Sequence, residues 1–317
     1  MSRTNRFRVL TVLLCVVLLA ISSFGVISHA ESAKDEPDYT VKEAAAPALS
    51  YHSLRYYGGF VTRMFGSFEK WVFDKPLYEG VEGSNVLLRA HSPSGIYEAT
   101  LLLVCLIAYL LGSFNFATFI SGHKYNDDVR NHGSGNAGMT NMLRTYGKKA
   151  ALMTLLGDFG KAAIAVLIGI LMVGDMGGYF AGLACIFGHA FPIFYRFKGG
   201  KGVACTAAVV LMLEPIVFLF LLAIFVLVFL LTKYISLSAI MAMLFYPVLL
   251  ARFYAVGHRD MLGAEQALPL HVAMISIMIA CFVIFLHRSN IKRLYNREER
   301  KTELFKKKKK EQNTEKI

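Results

Sequence analysis

The sequence predicts an all-α integral membrane protein, a bundle of about seven transmembrane helices of which some are short. The first observation is composition, because 55% of the 317 residues are hydrophobic, more than an ordinary soluble protein carries. The second is a series of apolar runs that approach or exceed the roughly 18 residues that indicate a membrane span. Each span must be helical, because lipid offers no partner to an unpaired peptide group. We expect the spans at 98–120, 150–173, 177–194, 203–213, 215–232, 235–254 and 268–287.

The residues before the first span are expected to form two further parts. Residues 1–30 carry basic residues, an apolar core and Ser28-His29-Ala30, which fits either a secretory signal peptide or an uncleaved N-terminal membrane anchor. Residues 31–97 form a predicted extracytoplasmic extension, in which apolar residues recur at three- and four-residue steps between 54 and 72. This pattern is typical of an amphipathic helix that lies in the interface on the outer face of the membrane.

The predicted span at 203–213, VACTAAVVLML, is too short to cross a bilayer of normal thickness. It follows a Gly-Gly-Lys-Gly stretch at 199–202 and ends at Glu214-Pro215. A short or half-inserted helix beside a polar site is a recurring feature of membrane proteins. The start of this helix is therefore a candidate for a functional site.

The net charge of +12 is concentrated in a few loops and in a basic tail at 300–317, which contains five consecutive lysines at 306–310. The positive-inside rule predicts that these loops and the tail lie in the cytoplasm. We expect the tail to set topology and to attract anionic lipid, and we expect no nucleic-acid partner. The five cysteines lie in apolar runs without a CxxC pair, so we interpret them as packing residues.

Three polar segments interrupt the apolar pattern on the predicted cytoplasmic face: segment 1 (133–144), segment 2 (188–206) and segment 3 (286–299). Segment 1 has glycines at the spacing of a dinucleotide fingerprint, but a membrane helix precedes it where that fingerprint needs a strand. Its glycines instead allow the backbone to approach a ligand closely, and its polar side chains suit an anion. The candidate residues are Gly133, Ser134, Gly135, Asn136, Gly138, Thr140, Asn141 and Arg144.

Segments 2 and 3 add groups of the same kind. Glycines and a lysine before a helix N-terminus are typical of a phosphate cradle, and residues 287 and 290 share a helix face where the last span leaves the membrane. The candidate residues are His189, Gly199, Gly200, Lys201 and Gly202 in segment 2, and His287, Arg288 and Asn290 in segment 3. Together the segments predict one anion pocket that opens to the cytoplasm and touches the bilayer.

Two charged residues, Asp158 and Lys161, lie three residues apart within the second span, where charges usually pair or line a cavity. We expect them to form an ion pair near the site. A membrane transporter of an anionic phosphorylated metabolite would also use a basic pocket, but it predicts a polar path through spans whose outer half is almost wholly apolar. A metal-dependent phosphotransferase would need clustered aspartates, whereas Asp158 stands alone.

The three segments together resemble those of the PlsY-type bacterial glycerol-3-phosphate acyltransferases. Order, spacing and placement between spans agree at 134–144, 199–204 and 287–294, and the resemblance covers about 97–299, which leaves 98–299 as the acyltransferase domain. It implies a multi-pass enzyme of the bacterial plasma membrane with its active site facing the cytoplasm. It implies transfer of an acyl group from acyl phosphate, not from acyl-CoA, to the sn-1 hydroxyl of glycerol 3-phosphate, which forms lysophosphatidic acid. It further implies no cofactor and no metal, membrane lipid as a partner, and an upstream enzyme that forms acyl phosphate.

The same resemblance assigns roles to individual residues. The family's functional residues correspond to Arg144, Lys201, His287 and Asn290 for holding phosphates, Ser134 beside the reacting centre, and Ser236 in the lining of the site. Because the donor is already activated, no covalent enzyme intermediate is required, and positioning and charge neutralisation supply most of the barrier reduction. The chain departs from the family pattern at Asn115, Cys205 and Arg297, where proline, threonine and glycine are usual.

Overall fold

The computed structural model describes residues 96–257 and 268–302 of the chain. The signal or anchor predicted at 1–30, the interfacial helix predicted between 54 and 72, and most of the basic tail lie outside these residues. The described residues form helices and no β-strand, as predicted. The α-helices are α1 (Ile96–Ser113), α2 (Phe116–Tyr125), α3 (Met139–Tyr146), α4 (Lys148–Val173), α5 (Asp175–Ala190), α6 (Val203–Leu213), α7 (Pro215–Thr232), α8 (Ile235–Gly257), α9 (Leu270–Leu286) and α10 (Arg288–Tyr295).

Five helical stretches within the described residues are long and apolar enough to cross a membrane. They are Ala99–Tyr125, Lys148–Val173, Asp175–Tyr195, Pro215–Thr232 and Ile235–Tyr254. α9 and α10 form a sixth span if they are counted as one, although they are bent by 56°. α6 has 11 residues and reaches only about half way across a hydrocarbon core of roughly 30 Å. The all-α membrane architecture is therefore confirmed, and residues 96–257 and 268–302 contribute five or six full spans and one half-length helix to it.

The first predicted span is not one continuous helix, because α1 and α2 are separated by a break at residues 114–115. Asn115 is the N-cap of α2, and its Oδ1 accepts hydrogen bonds from Thr118 N at 2.9 Å and from Thr118 Oγ1 at 3.1 Å. A carbonyl left without a helical partner in a membrane must find another donor. Lys161 of α4 supplies one by donating to Phe114 O at 2.7 Å.

Glycines allow α1, α4 and α5 to pack closely. A Cβ on Gly112 of α1 would meet the backbone of Cys185 in α5, and a Cβ on Gly169 of α4 would meet the backbone of Gly177 in α5. Small residues at such crossings let transmembrane helices gain van der Waals contact. α7 is different, because large apolar side chains such as Leu219 are exposed on it, as a lipid-facing helix requires.

A buried polar pair fixes the far end of the half-length helix. Tyr179 of α5 donates a hydrogen bond to Oε1 of Glu214, the residue that separates α6 from α7. Both side chains are buried, and an acidic group at that depth needs such a partner. α6 therefore ends inside the bundle instead of at a membrane surface.

Candidate active site

A cavity of about 380 Å³ lies where segments 1, 2 and 3 come together. The lining of its polar end includes Ser134, Asn136, Thr140, Asn141, Arg144, Lys201, His287, Asn290, Arg293 and Glu299. The lining of its apolar end, between α6, α7 and α8, includes Val203, Val210, Phe218, Leu221, Phe225, Ala239 and Met243. One cavity thus offers cationic and hydrogen-bonding groups beside a surface suited to a hydrocarbon chain.

The cavity brings together most of the residues that the sequence singled out. All those expected to be catalytic line it: Ser134, Arg144, Lys201, His287 and Asn290. Of those expected to bind substrate, the lining includes Asn136, Gly138, Thr140, Asn141, His189, Gly202 and Ser236, and it does not include Gly133, Gly135, Gly199, Gly200 and Arg288. The structure therefore separates residues that line the cavity from four glycines and an arginine that do not.

Asn141 organises segment 1 from within. Its Oδ1 accepts a hydrogen bond from Ser134 N at 3.0 Å, and its Nδ2 donates to Val129 O at 2.9 Å and to His132 O at 3.0 Å. Gly133 has a φ of 60°, and a Cβ there would meet Asn141 Oδ1. Both amide protons of Asn141 are thus used by the loop, so its side chain holds the turn that carries Ser134.

The glycines of segment 2 have two different tasks. Gly199 and Gly200 pack against His189, and a Cβ on Gly200 would meet His189 Nε2, so these positions require the absence of a side chain. Gly202, with a φ of 77°, is the N-cap of α6 and lines the cavity. The free N–H groups at the start of α6 can therefore receive an anion beside Lys201.

Segment 3 turns at His287, where α9 ends and α10 begins. His287 is buried, and its Nδ1 lies 2.8 Å from Val283 O. Because a carbonyl oxygen only accepts, Nδ1 carries the proton and Nε2 is left with the lone pair. Asn290, on the next turn, is also buried and accepts a hydrogen bond on Oδ1 from Lys201 Nζ. This contact joins segments 2 and 3.

The expectation that Arg288 binds substrate is not supported by its position. Arg288 is exposed, and its guanidinium lies 4.6 Å from the centroid of the Phe285 ring, outside the cavity. Residue 288 follows the buried His287 directly, and adjacent residues on a helix point in different directions. Arg288 thus lies outside the cavity with its long side chain over an aromatic ring, a position that suits an anchor at a membrane surface.

Glu299 and Arg293 are cavity residues that sequence reasoning did not identify. Glu299 Oε1 accepts from Ser236 Oγ and from Asn290 Nδ2, both at 2.7 Å, and Oε2 accepts from Arg293 Nε at 2.7 Å. Burial acts to raise the pKa of Glu299, but these hydrogen bonds outweigh it and hold the pKa below its ordinary value. The sequence feature that could have identified Glu299 is its position as a glutamate at the end of the strongly basic segment 3.

The charge of Lys201 responds to its surroundings. Burial, followed by repulsion from Arg293, lowers the pKa of Lys201 to about 8, although Glu299 opposes the shift. Arg144 lies at the exposed side of the cavity, and its Nη2 donates to Arg300 O at 3.4 Å. The polar end thus holds a lysine whose charge changes near neutral pH beside arginines that stay charged.

The ion pair predicted in the second span is confirmed. Lys161 Nζ lies 2.9 Å from Asp158 Oδ1, and both side chains are buried in α4. Lys161 Nζ also lies 3.0 Å from Nδ1 of His189 in α5. Asp158 and His189 line the cavity, so this buried network forms part of its floor.

Comparison with known proteins places the chain in a family of enzymes. The family model described as glycerol-3-phosphate acyltransferase matches residues 102–297. A glycerol-3-phosphate acyltransferase of Thermoanaerobacter sp. (strain X514) is 42% identical over 193 residues, which cover 61% of this chain and 91% of that relative. One of Finegoldia magna is 36% identical over 201 residues, which cover 63% of this chain and 96% of that relative.

Two solved structures of PlsY, an integral membrane glycerol 3-phosphate acyltransferase, have a similar fold. The glycerol 3-phosphate form is 35% identical with a TM-score of 0.57, and the match covers 64% of this chain and 96% of that one. The lysophosphatidic acid form is 34% identical with a TM-score of 0.55 and the same coverage. Family model, relatives and membrane fold agree, and the chain belongs to the glycerol-3-phosphate acyltransferase family.

Proposed function

We propose that this acyltransferase moves the acyl group of an acyl phosphate to the sn-1 hydroxyl of glycerol 3-phosphate, which yields lysophosphatidic acid and inorganic phosphate. The observation that carries the proposal is the single cavity in which cationic groups from three segments adjoin an apolar channel. The reaction joins two phosphate-bearing substrates, of which one has a hydrocarbon chain. The related PlsY structures, described as glycerol 3-phosphate and lysophosphatidic acid forms, support this choice of acceptor and product.

The polar end of the cavity holds the phosphates in this proposal. Lys201 and Arg144 supply positive charge, and the start of α6 at Gly202 supplies free N–H groups. At an effective dielectric constant of about 20, one unit charge about 4 Å from another contributes on the order of 4 kcal/mol before desolvation is subtracted. Several such contacts would be needed to hold two dianionic substrates together.

The chemical step requires little from the protein beyond placement. The sn-1 hydroxyl oxygen attacks the acyl carbon beside Ser134, an ester C–O bond forms, and the bond from the acyl carbon to the phosphate oxygen breaks. The hydroxyl proton passes to a substrate phosphate oxygen or to His287 Nε2, the ring nitrogen that Val283 leaves free. Because the donor is an activated anhydride, proximity and neutralisation of the phosphate charges supply most of the barrier reduction.

The hydrocarbon chain lies against the apolar end. Leu222 of α7 lines this part of the cavity and is also 44% exposed on the lipid-facing helix, so the apolar end of the cavity opens toward lipid there. The innermost wall includes Val210 and Met243, both buried and apolar. A transporter of an anionic metabolite would need a polar path at this depth, so the structure favours the enzyme over that alternative.

The active site is assigned to the cytoplasmic side of a bacterial plasma membrane. The support is the charge pattern, since Lys148, Arg196, Lys201, Lys233 and Arg293 all belong to loops or helix ends on the side of the three segments. Acyl phosphate is then supplied by an upstream enzyme with access to the same compartment. Both statements extend the family assignment.

The decisive experiment compares donors and includes a variant of the cavity. Purified protein is incubated with glycerol 3-phosphate and either palmitoyl phosphate or palmitoyl-CoA, and lysophosphatidic acid is measured. We expect product from palmitoyl phosphate alone, and at least about a hundredfold lower kcat/KM in Lys201→Ala, equivalent to about 2.7 kcal/mol of transition-state stabilisation. A higher rate of product formation from palmitoyl-CoA than from palmitoyl phosphate would overturn the proposal. Unchanged kinetics in Lys201→Ala would do the same.

A further inference from the structure

The break between α1 and α2 lies directly behind the catalytic segments and does more than interrupt a membrane helix. Asn115 and Ser113 at this break are completely buried. Asn115 uses its Oδ1 to cap α2 through Thr118, as described above. Its amide nitrogen is not needed for that task, so the two ends of the same side chain can serve different parts of the molecule.

The amide nitrogen of Asn115 reaches segment 1. Asn115 Nδ2 donates a hydrogen bond to Ala137 O at 3.2 Å, a contact between buried groups 22 residues apart in sequence. Ala137 is fully buried, whereas its neighbours Asn136 and Gly138 line the cavity. This bond therefore fixes the inner side of the turn whose outer side carries Ser134.

Segment 2 is held at the same point by a second route. Lys161 Nζ donates to Phe114 O at 2.7 Å and lies 3.0 Å from His189 Nδ1. Gly200 N in turn donates to His189 O at 3.1 Å. A Cβ on Gly200 would meet both His189 Nε2 and Ala137 O, so the two segments touch where they are tied to the break.

From this geometry we infer that Asn115 is a positioning residue for acyl transfer, which sets segment 1 relative to Lys201 through its hydrogen bond to Ala137. The inference rests on the proposed function, because Asn115 touches no substrate and its task is defined only by the acyl transfer that the cavity carries out. A shift of about 1 Å in a catalytic loop can lower turnover a hundredfold without loss of the fold. Asn115 thus acts on the rate through the placement of Ser134.

The test separates the cap from the tether. Asn115→Ser keeps an N-cap acceptor of about equal quality, but its hydroxyl is too short to reach Ala137. Thr118→Val is the matched control, because it removes the hydroxyl that donates to Asn115 Oδ1 and leaves the bond to Ala137 intact. kcat, KM for both substrates and melting temperature are measured for wild type and both variants.

We expect Asn115→Ser to lower kcat about tenfold or more, with a melting temperature close to that of Thr118→Val, whose kcat stays within about twofold of wild type. In a Ser134→Ala background, Asn115→Ser should have a much smaller effect on kcat, because both act through the same loop. If Asn115→Ser does not fold, Asn115→Asp, which has the same shape and keeps the cap acceptor, takes its place.

Equal kcat values in Asn115→Ser and Thr118→Val, or additive effects with Ser134→Ala, would overturn the inference. An inactive wild-type protein with palmitoyl phosphate would instead overturn the proposed function. The two failures are therefore distinguishable in the same set of assays.

Discussion

Lys201 is the residue whose chemistry depends most on the assembled site. Its ammonium donates to Asn290, and burial together with Arg293 brings its pKa to about 8. kcat/KM reports the free enzyme, in which the lysine is charged below that pKa and neutral above it. The affinity of the empty site for phosphate should therefore decline as the pH rises through about 8.

We expect kcat/KM for glycerol 3-phosphate to fall with rising pH between about 7 and 9.5, with a midpoint near 8. Lys201→Arg is the control, since a guanidinium keeps its charge throughout this range. The variant should be slower at pH 7 and should lack the alkaline decline. A decline of the same midpoint in Lys201→Arg would assign the titration to another group.

Sequence reasoning succeeded for residues whose chemical type is rare in a membrane chain. An arginine, a lysine and a histidine between apolar runs pointed to one cavity, and Arg144, Lys201 and His287 do line one cavity. Sequence reasoning was less informative where one residue type has two uses. Gly200 packs on His189, and a glycine pattern alone does not reveal which backbone approaches which surface.

At the scale of elements, the contact of Glu299 with α8 and α10 closes the polar end of the cavity. Its carboxylate joins Ser236 at the start of α8 to Asn290 and Arg293 of α10. Glu299→Ala would leave three donors without their acceptor. An unsatisfied group in such a position costs about 1–3 kcal/mol, and charged groups cost more.

We expect Glu299→Ala to lower the free energy of unfolding by about 2 kcal/mol or more, and Glu299→Gln to lower it less because the amide oxygen can still accept. Thermal unfolding in detergent measures the difference. Glu298→Ala is the control, since Glu298 is exposed and a surface substitution is usually within about 0.5 kcal/mol of wild type. Equal melting temperatures for the two alanine variants would show that the Glu299 contacts contribute nothing to stability.

The helices themselves were largely predictable, because long apolar runs in a membrane have no alternative to helix. The breaks within these helices were less predictable from the sequence. The span predicted at 98–120 contains a break at 114–115, and the segment after 286 bends by 56°. At the first break, Lys161, a residue distant in sequence, satisfies the carbonyl of Phe114, and periodicity carries no information about such a partner.

At the scale of the whole molecule, the family match begins at residue 102, and the residues before the first helix lie outside it. The sequence predicts that 31–97 lie on the opposite face of the membrane from the three segments. They cannot then contact glycerol 3-phosphate in the cavity. A role in anchoring or shielding the outer end of the bundle fits the apolar periodicity between 54 and 72.

A truncated chain that begins at Ser92 should therefore keep the kcat of the full chain and lose thermal stability or correct membrane insertion. Specific activity, melting temperature and yield in the membrane fraction are compared for the two proteins. A truncated protein that is equally stable but has altered donor kinetics would contradict this assignment and give the N-terminal region an influence on catalysis.

The half-length α6 also bears on how a membrane grows. Its apolar wall from Val203 to Val210 gives the cavity a depth of about 10 Å at 1.5 Å per residue, well short of the far side of the bilayer. A product made there has its phosphate among the polar segments and its chain beside the lipid-exposed Leu222. It can leave sideways without turning over, and it joins only the monolayer that those segments face. All the lysophosphatidic acid made by this enzyme then enters one leaflet. The opposite leaflet expands only as fast as a separate transbilayer step delivers lipid to it.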